Sequence, residues 1–145
     1  MNGNLSLLCE LKERFELDHA LWRDKKWDEF QKVSYDNSEW LKGKVCQLGW
    51  PSEEMVGKRS ELYAWLIVQH SDDIIFQKRC LELIKELPPT SERNQYIAYL
   101  TDRILISGNK NQLYGTQFSY GRPYPIEDLA NLDERRKNMG LDSRT

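Results

Sequence analysis

Apolar residues recur at helical spacing along most of this chain, and short breaks rich in Gly, Pro, Asn and Ser separate the recurring stretches. Leu8, Leu11, Phe15 and Trp22 share one stripe when wound at 100° per residue, which predicts a first helix over residues 5–25, supported by the i,i+4 pair Glu10 and Arg14. A second helix is expected over 37–48, with Asn37 or Ser38 as N-cap and Trp40, Leu41, Val45 and Leu48 facing inward. Gly49-Trp50-Pro51 stops it. A third, over 61–87, carries Leu62, Leu66, Phe76, Cys80, Leu83, Ile84 and Leu87, and Pro88-Pro89 ends it. A fourth spans 91–106, with Ile97, Leu100 and Ile104 on one face and Tyr99 and Ile106 on another. After the turn residues Gly108-Asn109-Lys110-Asn111 the pattern changes to short aromatic segments, 112–118 and 122–126, read as a two-stranded ribbon. A last helix is expected over 131–139, with Asn131 and Glu134 as a capping box and Gly140 just past its end. The expected fold is a mainly α single domain over 1–145: a bundle of about five helices with a small two-stranded extended appendage near the C-terminus. Its regions are an N-terminal helix (1–36), a helical core (37–106), and a ribbon with a C-terminal helix (107–145).

Polar residues interrupt the stripe of the third helix. Gln69 and Asp73 fall at its centre, with His70 and Gln77 on its shoulder. Burying neutral hydrogen-bonding groups without partners costs about 1–3 kcal/mol each, so these side chains either form a satisfied network or line a site. His70 and Asp73, at i,i+3, share a face; such an acceptor fixes the imidazole tautomer, as in general acid–base sites. A histidine held in a structural network is the plainer alternative. Metal binding would need a third ligand from Asp72, Asp18 or Asp102. No compact metal signature is present, and neither metal nor cofactor is expected.

Asp102 and Arg103 point 100° apart on the fourth helix and should reach different partners. Arg103 can clamp a carboxylate or phosphate, or form a buried ion pair. Gln112-Leu113-Tyr114-Gly115-Thr116-Gln117 packs amide, phenol and hydroxyl groups around one glycine and lacks the glycine and lysine pattern of a phosphate loop.

Composition narrows the partners. The chain has 145 residues, 39% hydrophobic and 30% charged, with net charge -2, which is the composition of a globular protein and not of a generic nucleic-acid binder. Its one dense basic run, Arg135-Arg136-Lys137, follows Asp133-Glu134. Cys9, Cys46 and Cys80 are widely spaced with no C-x-x-C, which argues against a disulfide framework and suits a cytoplasmic home. No apolar run is long enough to span a membrane, and the segment 5–9 lacks the leader of a lipoprotein signal.

The order of motifs resembles a bacterial family catalogued as a domain of unknown function, numbered 6624. The resemblance rests on Gly49-Trp50-Pro51, Gly57, Val68-Gln69-His70-Ser71-Asp72, Phe76-Gln77, Ala98-Tyr99-Leu100-Thr101-Asp102-Arg103, 112–117, Pro125-Ile126-Glu127-Asp128, Asp133-Glu134-Arg135-Arg136 and Gly140-Leu141. It covers the chain from about Asn37 onward, with Asp18 standing where the family's early helix carries an acid. The family brings no mechanism. It implies that His70, Gln77, Asp102, Arg103, Tyr114, Thr116, Gln117 and Arg135 or Arg136 belong to one converging site. The chain departs from the pattern at Asp73-Ile74-Ile75, which leaves Asp72 and Asp73 open as the functional acid; the helical wheel favours Asp73.

Two functions follow. One is a small-molecule site, as a binding protein or as a hydrolase or group transferase acting on a polar or anionic substrate. In it His70 would be acid or base, oriented by Asp73. Asp102 would be a further acid, Arg103, Arg135 and Arg136 would hold an anion, and Gln69, Gln77, Gln112, Tyr114, Thr116 and Gln117 would read polar atoms. The other is a helical interaction module, such as an immunity or regulatory protein, using Trp22, Trp27 and Glu53-Glu54 on its surface, with the buried polar groups structural.

Overall fold

The computed structural model of the protein describes residues 2–143. The architecture is mainly α, with seven α-helices among the described residues and one small antiparallel ribbon near the C-terminus. The chain divides into two compact units, Met1–Phe76 and Gln77–Thr145.

In the first unit, α1 (Asn2–Arg23) and α2 (Trp27–Leu48) pack on each other and on α4 (Lys58–Gln69), while the short α3 (Glu53–Val56) packs on α1 and α4. The turn between α1 and α2 passes through Lys25 in the left-handed region, φ 58°. Arg14 pins the two helices together: its guanidinium donates to Glu10 at 3.0 Å on α1 and to Asp36 and Asn37 at 2.9 and 3.0 Å on α2, and it lies 4.5 Å from the centre of the Trp40 ring. Helix α2 begins at Trp27, well before the expected Asn37 start. Its inward residues in that added stretch include Ser34, followed by Asn37 and Ser38, all buried and polar. Apolar periodicity was therefore silent there. Trp22, expected on the inward stripe of α1, is instead 54% exposed. Leu7 and Leu11 are buried on α1, and Asp18 lies on the same stripe.

The third expected helix is two helices. α4 ends at Gln69, and α5 (Ile74–Lys85) starts after Asp73. Ser71, Asp72 and Asp73 are strong cap formers and offer the backbone an alternative to helix. The Asp73 carboxylate accepts from the N–H of Phe76 at 3.0 Å, and the Ser71 hydroxyl accepts from the N–H of Asp73 at 3.1 Å. The helical wheel that aligned Gln69, His70, Asp73 and Gln77 on one stripe does not survive this break. Asp73 also pairs with Lys42 of α2 at 2.5 Å. The Lys42 ammonium, then the Phe76 amide, hold the Asp73 carboxyl below its ordinary range.

Upstream of α4, buried Glu61 accepts from the Trp50 indole N–H at 3.2 Å and from the N–H of Glu53 at 2.6 Å, tying the Gly49-Trp50-Pro51 segment and α3 onto α4.

The unit boundary falls inside α5. In the second unit, α6 (Ser91–Ser107) follows the Pro88-Pro89 stop and is N-capped by the Thr90 hydroxyl, which accepts from the N–H of Arg93 at 3.1 Å. The buried Arg93 guanidinium donates to the Pro88 carbonyl. β1 (Phe118–Ser119) and β2 (Arg122–Pro123) pair antiparallel through Tyr120 and Gly121, both at positive φ (51° and 77°), as a type I′ turn needs. A 3-10 turn (Leu129–Asn131) leads into α7 (Leu132–Asn138). The expected capping box does not form: Asn131 makes no cap bond and donates instead to Asp128. Among the described residues no helix is long and apolar enough to cross a membrane.

Replacing Asp73 with Ala should cost about 1 kcal/mol at neutral pH, the worth of a cap. A carboxyl whose pKa is lowered on folding contributes stability that is complete above its unfolded value, about 4, and lost as pH falls through the folded one. The gap between wild type and Asp73→Ala should therefore shrink below about pH 4, as read by denaturant titrations at pH 7 and pH 3; a gap unchanged by pH would refute the pairing.

Candidate functional site

The candidate site of the first unit is built where α4 stops. His70 is its C-cap residue, with φ -84° and ψ -6°. Its Nδ1 lies 3.0 Å from Oδ2 of Asp18 on α1. A carboxylate only accepts, so the ring N–H sits on Nδ1 and donates to Asp18, leaving the Nε2 lone pair for another group. Asp18 is 2% exposed, whereas the His70 side chain is 32% exposed. The imidazole thus stands over a buried acid with one edge open. Among the described residues no group hydrogen-bonds Nε2. The Phe30 ring of α2 meets the imidazole edge-on at 5.5 Å, and Phe15 of α1 stacks on Tyr63 of α4 at 4.3 Å and on His19 at 5.6 Å.

The acid that meets His70 is Asp18 and not Asp73. The break at 70–73 turns Asp73 to cap α5 and to pair with Lys42. Gln69 is buried as expected, but its Oε1 has no partner, and the same holds for Asp18 Oδ1 and Ser34 Oγ. Phe30 and Ser34 escaped sequence reasoning because they precede the expected start of α2. Asp18 carried a legible signal: a carboxylate on the buried stripe of an amphipathic helix.

The remaining candidates lie in the second unit, and most of them hold a loop. Asp102 is fully buried. Its Oδ1 accepts from the N–H groups of Leu113 and Tyr114 at 2.8 and 3.0 Å, and its Oδ2 from the N–H and hydroxyl of Thr116 at 3.0 and 2.8 Å. Gln112, also fully buried, donates from Nε2 to the carbonyls of Gln117 and Tyr124 and accepts at Oε1 from the N–H of Gln117. The Gln117 side chain donates to the Thr116 hydroxyl. From α7, Arg135 donates to the carbonyls of Leu113, Asp128 and Glu127, and Arg136 to those of Tyr114 and Asp142. The donors expected to grip an anion are thus directed at backbone carbonyls. Gln77 is buried, and Arg103 is half-buried on α6. The loop presents Tyr114, whose pKa is raised by burial and by the charge of Asp102; its phenol is neutral at physiological pH, and no group among the described residues bonds its hydroxyl. Among the described residues no three His, Cys, Asp or Glu side chains gather as a metal would require.

The sequence pattern of the family of unknown function DUF6624 matches residues 20–144. The chain belongs to this family. The match takes in His70, Asp102 and the 112–117 loop of this DUF6624 protein, and begins just after Asp18. No curated protein and no solved structure matches the chain.

Asp102→Ala would strand four donors in a buried position. It should cost about 3 kcal/mol or more and shift the amide resonances of Leu113, Tyr114 and Thr116; an unchanged denaturation midpoint would contradict its role as the loop's anchor.

Proposed function

We propose that this protein binds a polar small molecule at His70 and performs acid–base chemistry on it, as a hydrolase or group transferase, in a reducing cytoplasm. The observation that carries this reading is the Asp18–His70 pair: a buried carboxylate fixes Nδ1, while Nε2 has no partner on a half-exposed ring. That arrangement supplies a base of set tautomer at an accessible edge, with the acid acting through the histidine as a positioning residue. The aromatic side of Phe30 gives the edge an apolar flank suited to a ligand. Free thiols at Cys9 and Cys46 support the compartment.

A second reading, a protein-interaction module, is favoured by Trp22, Trp27 and Tyr35, which are 54%, 50% and 70% exposed on α1 and α2. In it the Asp18–His70 pair fixes helix register.

The test is a screen of the purified protein against carboxyl-ester, amide, phosphoester and glycoside chromogens. A substrate turned over by wild type should lose about 10²–10⁴-fold in kcat/KM in His70→Ala. Asp18→Asn should lower kcat more than it raises KM. Turnover unchanged in His70→Ala, with the fold intact, would end the catalytic reading; a stoichiometric partner lost in Trp22→Ala and Trp27→Ala would support the second.

A further inference from the structure

Three buried oxygens of the first unit lack a hydrogen-bond partner: Asp18 Oδ1, Ser34 Oγ and Gln69 Oε1. Each residue is at least nine-tenths buried, at 2%, 8% and 8% exposure. Native proteins seldom leave such atoms bare, because each forfeits its hydration without replacement.

Two of them, on Asp18 and Ser34, face the end of α4 that carries His70. Asp18 Oδ1 belongs to the carboxylate that holds the imidazole. Ser34 lies one turn beyond Phe30 and one turn before Ser38 on α2. The Phe30 ring is 5.5 Å from the His70 ring, and the Ser38 hydroxyl is 2.7 Å from the Ser71 hydroxyl. Ser34 therefore faces the same end of α4 from between those two contacts. Gln69 is the residue before His70.

The chemistry of the set is one-sided. A carboxylate oxygen and an amide oxygen only accept, and a hydroxyl oxygen can accept as well. Whatever completes the set must donate hydrogen. An anion would bring more acceptors and a like charge against a buried acid. On α2, the Lys42 ammonium is already paired with Asp73 and Glu39.

We infer that the ligand of the His70 site carries a nitrogen-based hydrogen-bond donor, of amine, amidine or guanidine type, which docks on Asp18 Oδ1 and Ser34 Oγ beside the imidazole. This rests on the reading of His70 as ligand-facing. It replaces the anionic substrate suggested by the arginines of the sequence with a neutral or cationic one. The histidine then serves a ligand whose donor group is anchored by the acid that also orients its base.

The experiment uses the full-length, isotope-labelled protein. It is titrated with guanidinium and methylammonium chloride, then with sodium acetate and inorganic phosphate, at constant ionic strength, while the His70 imidazole signals are followed by NMR. The donors should shift His70 saturably and the anions should not. Ser34→Ala should weaken donor binding by about tenfold, the loss expected for one hydrogen bond to a charged group. Asp18→Asn should weaken it further; if that variant does not fold, Ser34→Ala alone decides, and donor binding unchanged in it would overturn the inference. Saturation by the anions alone would overturn the donor inference and leave His70 as a ligand site. Silence from both classes would overturn the inference too, and the chromogen screen with His70→Ala then decides the broader reading separately. A crystal structure with ordered water on the three oxygens that guanidinium does not displace would also overturn it.

Discussion

His70 is the last residue in helical phase with α4, its N–H still bonded to the Leu66 carbonyl, and it meets Asp18 from that position. Had α4 run on through 70–73, Asp73 would keep helical phase with His70. Instead Ser71 and Asp73 take up backbone N–H groups that a continuing helix would have satisfied with carbonyls. The same two side chains reach α2 through Ser38 and Lys42. One local choice thus ends a helix, starts the next, and turns Asp73 away from the imidazole. The separation of the candidate base from Asp73 rests on cap chemistry, and its meeting with Asp18 on the packing of α1 against α4.

Buried polar residues play opposite parts in the two units. In the second, Asp102 and Gln112 replace the missing secondary structure of the 112–117 loop: both Asp102 oxygens meet two or more donors, and the Gln112 amide is satisfied at its oxygen and its nitrogen. Full satisfaction is the mark of a structural network. In the first, Asp18, Ser34 and Gln69 each keep an oxygen with no donor. That imbalance separates a site from a scaffold better than the identity of the residues does, since both units use acids, amides and hydroxyls.

The arginines make the same point. Arg135 and Arg136 carry the planar fork that suits a phosphate or carboxylate, yet a row of loop carbonyls offers equivalent acceptors without a second ion. A guanidinium near a polar motif therefore says little about substrate charge until its donors have been traced. Tyr114 differs: the loop holds its backbone at both ends and leaves its neutral hydroxyl unspent.

Much of the architecture was legible in the chain alone. Apolar spacing of 3.6 locates α1, the second half of α2, and α6, and Gly and Pro mark the stops at 49–51 and 88–89, because burial and backbone sterics act locally. The aromatic, Gly-broken segments after 108 announce the ribbon, since Tyr120-Gly121 can adopt a turn with positive φ at both positions. The polar motifs were also visible as a set. Their roles were not. A hydrogen bond between Asp18 and His70 joins residues 52 apart in the chain, and a loop anchored on Asp102 depends on groups up to 14 residues away. Periodicity reports which side of a helix is apolar. It cannot report which partner a buried polar atom finds, because that is decided by distances that exist only after the helices have packed.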